Sequence, residues 1–452
     1  MLTCFTSDKS QKIIPITVLS QETLPQWLSQ QTPLTRQWLA ATQFNQEPNQ
    51  VRLLPNSTGE IERVIYCVED KKNNWRLGHL PFYLPPGVYQ LDQTNEDDAI
   101  AWGLGAYQFT RYKQAKRQAA ILYLPASLLS SITPIIESLY FVRDCINTPT
   151  EEMGPSELAV LASSLAKQYG AIFRECVGDN LLKENYPLIH AVGRASDDPP
   201  RLLDLRWGNA KHPKVTLVGK GVCFDTGGLD IKSSSHMLLM KKDMAGAAHV
   251  LGLARMIMSL KLPICLRVLI PAVENVISGN AYRPGDILKS RKGLTVEIGN
   301  TDAEGRVILA DALTEAASEN PDLLIDISTL TGAARIALGT DLPAIFSHHD
   351  ELVQAVIKEG EQCNDLMWRL PLYAPYREYL NSPIADINNN ASEPYGGAIT
   401  AALFLNDFVP TTIPWLHIDM MAWNLRTRPG RPQGGEAMTL RALLAYLQYL
   451  SA

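Results

Sequence analysis

The sequence lacks long apolar runs. Nowhere in its 452 residues is there an uninterrupted apolar stretch of about 18 residues, the length that a membrane-spanning helix needs. Residues 1–17 also lack the basic and then apolar pattern of a secretion signal. We therefore expect a cytoplasmic protein that has no membrane partner.

Cysteine is sparse and shows no pairing pattern. The seven cysteines are odd in number and form no Cys-x-x-Cys motif. They are Cys4, Cys67, Cys145, Cys176, Cys223, Cys265 and Cys363. A disulfide framework is therefore not expected, and we interpret the cysteines as packing thiols of a reducing compartment.

An excess of positive charge is absent as well. The net charge is −6, which argues against non-specific nucleic-acid binding as the main role but leaves room for a local basic patch. If nucleic acid were bound, basic residues such as Lys113, Lys116 and Arg117 would be candidates, and binding would be sensitive to salt.

Histidine does not form a metal-binding motif. None of the eight histidines has the His-Glu-x-x-His spacing that marks one class of zinc protease. We interpret His236, His249, His348 and His349 as ordinary polar or packing residues.

The pattern of strands and helices predicts an α/β protein of two domains. Residues 1–130 contain strand patterns at 63–68 and 119–124 and a helix pattern at 97–109, which indicate a small N-terminal α/β domain. A helical stretch over 131–146 leads to a boundary at 147–150, so 131–150 is predicted as a linker helix.

Residues 151–452 are predicted as the second, larger domain. Strand patterns near Val215, at 266–270, at 323–327 and at 417–418 alternate with helical stretches. This alternation predicts a central mixed β-sheet flanked by helices.

Residues 300–306, Asn-Thr-Asp-Ala-Glu-Gly-Arg, concentrate charge just before a predicted helix. In an extended stretch Asp302 and Glu304 would point to the same side, where their carboxylates could bind a hard cation. Alternatively, both acids only complement the positive end of the helix dipole.

A second segment follows a predicted strand at 215–218. The glycine-rich residues 219–228 supply Lys220 and Asp225, and Lys232 lies seven residues further on. Loops at strand ends bind ligands in α/β folds. A phosphate-binding loop is the competing interpretation, but the Gly-x-x-x-x-Gly-Lys-Ser/Thr spacing is missing.

The third segment is a predicted long helix from about His236 to Leu260. Within it Asp243 shares an apolar face with Met240 and Ala247. A buried carboxylate requires a partner. A metal or a basic side chain would serve, although adjacent Lys241 and Lys242 would not face Asp243 on a helix.

Together these three segments resemble the signature of the leucyl aminopeptidase (cytosol aminopeptidase) family of two-metal exopeptidases. The resemblance covers roughly the last two-thirds of the chain. It continues through residues 143–149, 328–333 and 395–404.

The resemblance implies two divalent metal ions, with zinc or manganese favoured and magnesium or cobalt also acceptable. One ion would be held by Lys220, Asp225, Asp243 and Glu304. The other would be held by Asp225, Asp302 and Glu304, with the Asp302 carbonyl also in reach. A water or hydroxide between the ions would attack the peptide.

The same resemblance implies catalytic roles for Lys232 and Arg306. Lys232 would stabilise the oxyanion, and Arg306 would hold a bicarbonate that helps to move the proton.

The pocket for the first residue of a peptide would be lined by Met240, Thr329, Leu330 and Gly332, and it would favour leucine-like side chains. Met240 could instead be a core residue. Leu238 and Arg335 depart from the family pattern and affect the rim of this pocket. A homohexamer that acts in intracellular peptide turnover is implied by resemblance alone. Besides an aminopeptidase and a nucleic-acid-binding protein, a different two-metal hydrolase, for example one acting on phosphate esters, is the third functional hypothesis.

Overall fold

The structure is a computed structural model that describes residues 2–44, 47, 49–68, 75–115 and 117–451. The chain divides into two compact units, Met1–Tyr140 with Leu425–Gln433, and Phe141–Asn424 with Gly434–Ala452. The domain limits 1–130, 131–150 and 151–452 remain predictions. They do not include the grouping of Leu425–Gln433 with the first unit. Lys116 lies outside the described residues.

The first unit is built on a six-stranded sheet with the order β1-β6-β5-β2-β4-β3. Only β3 runs antiparallel to its neighbour among these paired strands. The strands are β1 Phe5–Thr6, β2 Ile13–Ser20, β3 Val51–Pro55, β4 Ile61–Val68, β5 Val88–Leu91 and β6 Ile121–Tyr123. The helices are α1 Leu24–Ser29, α2 Pro33–Ala41, α3 Leu80–Tyr83, α4 Glu96–Ala106 and α5 Ala126–Asn147, the last of which continues into the second unit.

Local sequence explains the predicted elements of this unit. In β4, residues 64–68 are all buried, as expected for a strand covered on both faces of a largely parallel sheet. Helix α4 begins where the Asn95 side chain accepts the Asp98 N–H at 2.8 Å. The predicted helix at 97–109 is thus confirmed with shifted ends, and the predicted strand at 119–124 is shorter.

The second unit contains a nine-stranded mixed sheet. Its order is β16-β15-β18-β14-β9-β11-β8-β7, and β10 pairs with β11. Its strands are β7 Ile172–Val177, β8 Arg201–Trp207, β9 Lys214–Gly219, β10 Gly221–Asp225, β11 Cys265–Asn275, β14 Leu323–Ser328, β15 Ala344–Phe346, β16 Trp368–Arg369 and β18 Trp415–Asp419. The remaining strands are β12 Ile287–Lys289, β13 Thr295–Glu297, β17 Ile387–Asn388, β19 Trp423–Asn424 and β20 Gly434–Gly435.

Helices pack against this sheet. This confirms the predicted fold class, which is a small N-terminal α/β domain followed by a larger domain with a mixed sheet flanked by helices. They are α6 Pro155–Tyr169, α7 Asn180–Lys183, α8 Pro187–Gly193, α9 Ser234–Met237, α10 Ala245–Ser259, α11 Glu304–Ala317, α12 Gly332–Leu338, α13 Asp350–Gln362, α14 Gly397–Asn406 and α15 Leu440–Leu450. Three 3-10 helices span Thr150–Glu152, Met240–Met244 and Ala374–Leu380. No helix of the described part of the chain has the length and apolar character needed to cross a bilayer.

Strand register brings the ends of several parallel strands together. Gly219 pairs with Ile327, Ser328 pairs with Asp419, and Asp225 pairs with Asn275. Loops at the carboxyl ends of parallel strands form the ligand-binding edge of an α/β sheet. This edge holds the site described below.

The prediction of one continuous helix from His236 to Leu260 is wrong. The segment consists of α9, the 3-10 helix Met240–Met244 and α10. Helix α10 begins anew because its Ala247 N–H donates to the Lys220 carbonyl at 2.9 Å instead of to a preceding helical turn. The short 3-10 helix carries Asp243 toward Lys220.

Candidate metal centre

Three carboxylates converge at the edge of the sheet. Asp225 ends β10, Asp302 lies in the turn before α11, and Glu304 is the first residue of α11. Each offers an oxygen, and these oxygens all lie within 4.8 Å of one another. The expected extended geometry of Asp302 and Glu304 is therefore wrong, because Glu304 is already helical, but both side chains still reach the same place.

Two lysines contact these acids. Lys220 Nζ lies 2.8 Å from Asp243 Oδ2 and 2.8 Å from Glu304 Oε1. Lys232 Nζ lies 2.8 Å from Asp225 Oδ2 and also contacts Asp302 Oδ1. Asp243 thus pairs with Lys220. Its sequence neighbours do not take that place, since Lys241 Nζ donates to the Asn147 carbonyl at 2.6 Å.

Crowding and burial change the proton affinity of this cluster. Burial, reinforced by the Asp225 charge, raises the pKa of Glu304 to about 8. Burial and the Asp243 charge raise the pKa of Asp225 to about 6. Burial alone would lower the pKa of Lys220, but Asp243 and Glu304 raise it above its ordinary value. Positive charge is therefore strongly favoured here.

The donor set fits divalent metal ions. Asp243 Oδ2, Asp302 Oδ1 and Glu304 Oε1 are buried, and among the described residues only the lysine ammonium groups contact them as donors. Buried carboxylate oxygens grouped in this way are ligands that hard and borderline divalent cations prefer. Lys220 could join them only after losing its proton.

Neighbouring side chains orient the acids. Asp225 Oδ1 accepts from Asn275 Nδ2 and from the Gly227 N–H, both at 2.8 Å. Asp243 Oδ1 accepts from the Thr329 hydroxyl at 2.7 Å. In each acid one oxygen is held by a donor while the other faces a cation, an arrangement that second-sphere groups commonly impose on metal ligands.

Arg306 lies in the first turns of α11. Its Nη1 donates to the Asn389 carbonyl at 2.9 Å, and its Nε has no hydrogen-bond partner among the described residues. Burial lowers the pKa of Arg306 to about 10, so the guanidinium stays charged at neutral pH. It retains donors for a small oxyanion.

The predicted pocket residues lie on two elements. Met240 is buried in the 3-10 helix, whereas Thr329, Leu330 and Gly332 follow β14. Asp419, at the end of β18, holds this loop by accepting the Leu330 N–H at 2.9 Å and the Thr331 hydroxyl at 2.6 Å. Among the four, Gly332 is exposed and Leu330 half-buried.

Sequence reasoning missed Asn275, Asp419 and a buried pair beneath the loop. His417 Nδ1 lies 2.6 Å from Asp326 Oδ1, and Trp415 Nε1 donates to Asp326 Oδ2 at 2.7 Å. These residues occupy ordinary strand patterns, so the signal that could have found them is polarity within an otherwise apolar strand.

Two further cations lie near the same loop. Lys242 is 2 % exposed. Burial lowers the pKa of Lys242 to about 8; the Asp243 charge acts to raise this pKa and the Arg335 charge to lower it. Arg335 Nη1 donates to Met421 Sδ at 3.4 Å. Neither side chain forms an ion pair with a described carboxylate.

Comparison with known proteins gives concordant matches over most of the chain. The model of the cytosol aminopeptidase family catalytic domain matches residues 140–444, and that of the M17 aminopeptidase N-terminal domain matches residues 14–125. A probable cytosol aminopeptidase of Syntrophotalea carbinolica is 40% identical over 408 residues, 86% of this chain and 81% of that protein. A probable cytosol aminopeptidase of Legionella pneumophila strain Corby is 40% identical over 355 residues, 76% of this chain and 73% of that protein.

Solved structures match as well. The crystal structure of a cytosol aminopeptidase from Coxiella burnetii superposes with a TM-score of 0.97 at 51% identity, covering 99% of this chain and 100% of that chain. The bottromycin maturation enzyme BotP in complex with Mn gives a TM-score of 0.87 at 30% identity, covering 97% of this chain and 99% of that chain.

Proposed function

Since the chain belongs to the cytosol aminopeptidase family and is therefore a metal-dependent aminopeptidase, we propose that it releases N-terminal amino acids from peptides at the cluster of Asp225, Asp302 and Glu304. The observation that carries this proposal is the approach of their three oxygens to within 4.8 Å of one another. Lys220 and Asp243 adjoin them, so all five residues of the implied ligand set lie together.

The proposed cofactors are two divalent ions. One ion would be held by Lys220, Asp225, Asp243 and Glu304, and the other by Asp225, Asp302 and Glu304 with the Asp302 carbonyl. Zinc or manganese is proposed first, and magnesium or cobalt is compatible with the same oxygen donors. When bound, such a pair supplies Lewis-acid polarisation of the scissile carbonyl and an activated water as nucleophile.

The residues of the chain then bind and orient the reacting groups. Lys232, on the exposed side of the cluster beside Asp302, is proposed to stabilise the developing oxyanion. Arg306, with its Nε available, is proposed to hold bicarbonate near the transferred proton. Met240, Thr329, Leu330 and Gly332 are proposed to form the pocket for a leucine-like first residue. Thr329 would do so through its backbone, because its hydroxyl is donated to Asp243.

A homohexamer located in the cytoplasm and active in intracellular peptide turnover is part of the same proposal. Six chains of 50.0 kDa give a particle of about 300 kDa. Sedimentation velocity distinguishes that particle from a monomer or a dimer.

Hydrolysis of leucine p-nitroanilide tests the proposed activity. Metal-stripped protein is supplied in turn with zinc, manganese, cobalt and magnesium, and an N-acetylated analogue serves as the control substrate. We expect metal-dependent release from the free amine only. The E304A variant should be inactive, while E351A, which removes an exposed acid on α13, should keep full activity. Turnover of phosphate monoesters without turnover of the anilide would favour the other class of two-metal hydrolase.

A further inference from the structure

Arg335 and Lys242 place positive charge beside the loop at residues 329–332. The described residues provide neither cation with a carboxylate within ion-pair distance, although most other arginines near the sheet have one, as Arg267 has in Asp204 and Glu315. This difference points to a ligand that brings its own negative charge.

Arg335 is held over the predicted pocket by its helix. The Thr331 hydroxyl accepts the Ala334 N–H at 3.0 Å and begins α12, which puts Arg335 one turn beyond the loop. A Cβ built on Gly332 would stand 3.3 Å from Arg335 Nη2, so the guanidinium lies directly against this glycine. Its Nη1 contacts the Met421 thioether, which is a weak acceptor.

Lys242 lies deeper, with 2 % of its surface exposed. Its electrostatic neighbours are Asp243, Arg335, Lys220 and Asp419. The two acids among them are already engaged, Asp243 by Lys220 and Thr329, and Asp419 by the loop at 330–331. A buried ammonium group without its own counter-ion is costly, and a carboxylate supplied by a ligand would offset that cost.

We propose that Arg335, supported by Lys242, recognises a side-chain carboxylate in the first residue of the substrate, so that the enzyme releases N-terminal glutamate as well as leucine-like residues. The proposal rests on the proposed aminopeptidase function. The methylene groups of glutamate resemble the stem of leucine and would pack against Met240, while the carboxylate would meet the guanidinium over Gly332. A charge-assisted pair of this kind discriminates strongly against a neutral isostere.

The test compares kcat/KM for the p-nitroanilides of glutamate, glutamine and leucine. Glutamate and glutamine have nearly the same shape, so the ratio of their kcat/KM values isolates the effect of the side-chain charge. We expect the wild-type protein to prefer glutamate over glutamine by about tenfold or more. R335M and K242M should each lower this ratio at least several-fold, and R335K should retain part of it. The control K358M removes an exposed lysine on α13 and should leave the ratio unchanged. Circular dichroism confirms that each variant is folded.

The outcomes separate this inference from the function on which it rests. Leucine turnover with a glutamate-to-glutamine ratio of one or below overturns the carboxylate pocket and leaves the aminopeptidase intact. Silence with all three substrates and every metal overturns the aminopeptidase itself. A third outcome is that the enzyme shows no preference for glutamate, yet free phosphate or acetate competes with the leucine substrate and R335M abolishes this competition. The two cations would then bind a free anion, and this result too overturns the proposal.

Discussion

At the scale of single residues, the site depends on donors that are not themselves proposed ligands. Asn275 donates one N–H to Asp225 Oδ1 and another to the Thr301 carbonyl, at 2.8 and 3.0 Å. It thereby connects β10 to the turn that carries Asp302. The side chain is completely buried, so no water can replace these hydrogen bonds without rearrangement.

We predict that N275A lowers metal affinity by about 10- to 100-fold, the usual effect of removing a group that orients a ligand. Isothermal titration of metal-stripped protein with manganese measures the change. N280A, at an exposed asparagine five residues further on, is the matched control. Equal affinities in the two variants would mean that Asn275 does not orient the site.

The proposed ligands and the proposed catalytic lysine should respond differently to mutation. D302A and E304A are expected to abolish turnover and to weaken metal binding, because each removes a converging oxygen. K232A should still bind metal but lose rate by about 100-fold, the cost of removing one oxyanion donor. Activity assays and metal titrations of the same preparations provide both readouts. Full activity of E304A would rule out this site.

The buried His249 should make its own contribution to the pH dependence of stability. His249 Nδ1 lies 2.6 Å from the Ala245 carbonyl, and Nε2 accepts the Met438 N–H at 2.9 Å, so the neutral ring satisfies both groups. Burial lowers the pKa of His249 to about 4 from an ordinary 6.5. The unfolded chain therefore binds the proton first, and the contribution of His249 to stability is lost as the pH falls from 6.5 toward 4.

For the wild-type protein this linkage is worth about 2 kcal/mol between pH 7 and pH 5. H249Q should be less stable at pH 7 and should lose less stability on acidification, as measured by chemical unfolding at both pH values. H236Q, at an exposed histidine, should retain the wild-type pH dependence. An unchanged pH dependence in H249Q would contradict this assignment.

The sequence could predict which acids lie near the site but not what orients them. Lys220, Asp225, Asp302 and Glu304 belong to short segments whose charge stands out locally. Asn275 and Asp419 acquire their roles through strand register, with Asp225 opposite Asn275 and Ser328 opposite Asp419. Register between distant strands is a tertiary property that a local pattern does not contain.

At the scale of elements, the segment from α9 to α10 shows where periodicity misleads. Apolar spacing is continuous through residues 236–260, yet the chain is helical in three pieces. The break is imposed from outside the helix, because the Lys220 N–H donates to the Ile327 carbonyl while the Lys220 carbonyl accepts the Ala247 N–H. Strand β9 thus ends against β14 and the start of α10, and the predicted ligands Lys220 and Asp243 meet at this junction.

Gly246 makes this junction possible. A Cβ at this position would stand 2.1 Å from the Ile327 carbonyl oxygen and 2.7 Å from Lys220 N, both of them backbone atoms that cannot rotate away. G246A should therefore move α10 off the sheet and destabilise the second unit by more than about 2 kcal/mol. Thermal unfolding measures this effect. G279A, where a Cβ would meet nothing within 4 Å, should unfold near the wild-type temperature, and a similar midpoint for G246A would show that the junction can relax.

At the scale of the whole molecule, the two-unit organisation was partly visible in the sequence. The alternation of strands and helices predicted an α/β chain with a small first unit. It could not predict that Leu425–Gln433 belongs to that unit. The evidence for this grouping is long-range, since Arg431 stacks 4.3 Å from the centre of the Trp75 ring, and no local pattern relates residues so far apart.

Charge balance at the centre links metal binding to the stability of the second unit. Four carboxylates, those of Asp225, Asp243, Asp302 and Glu304, face two lysine ammonium groups. Burial, and after it repulsion from the Asp225 charge, raises the pKa of Glu304 to about 8. Divalent ions would relieve that repulsion only in the folded chain, because unfolding separates residues 225 and 304.

Metal should consequently raise the unfolding temperature of the second unit. At a free concentration one hundred times the dissociation constant, a single bound ion adds about 2.7 kcal/mol, equivalent to several degrees for a unit of this size. Differential scanning calorimetry with manganese or zinc, and then with excess chelator, measures the shift and its reversal. E304A should lose most of the shift and E351A none of it. Glu304 belongs to both proposed ligand sets, so its loss must weaken the binding of each ion. If metal raised the unfolding temperature of E304A as much as that of the wild-type protein, the stabilising ion would bind elsewhere.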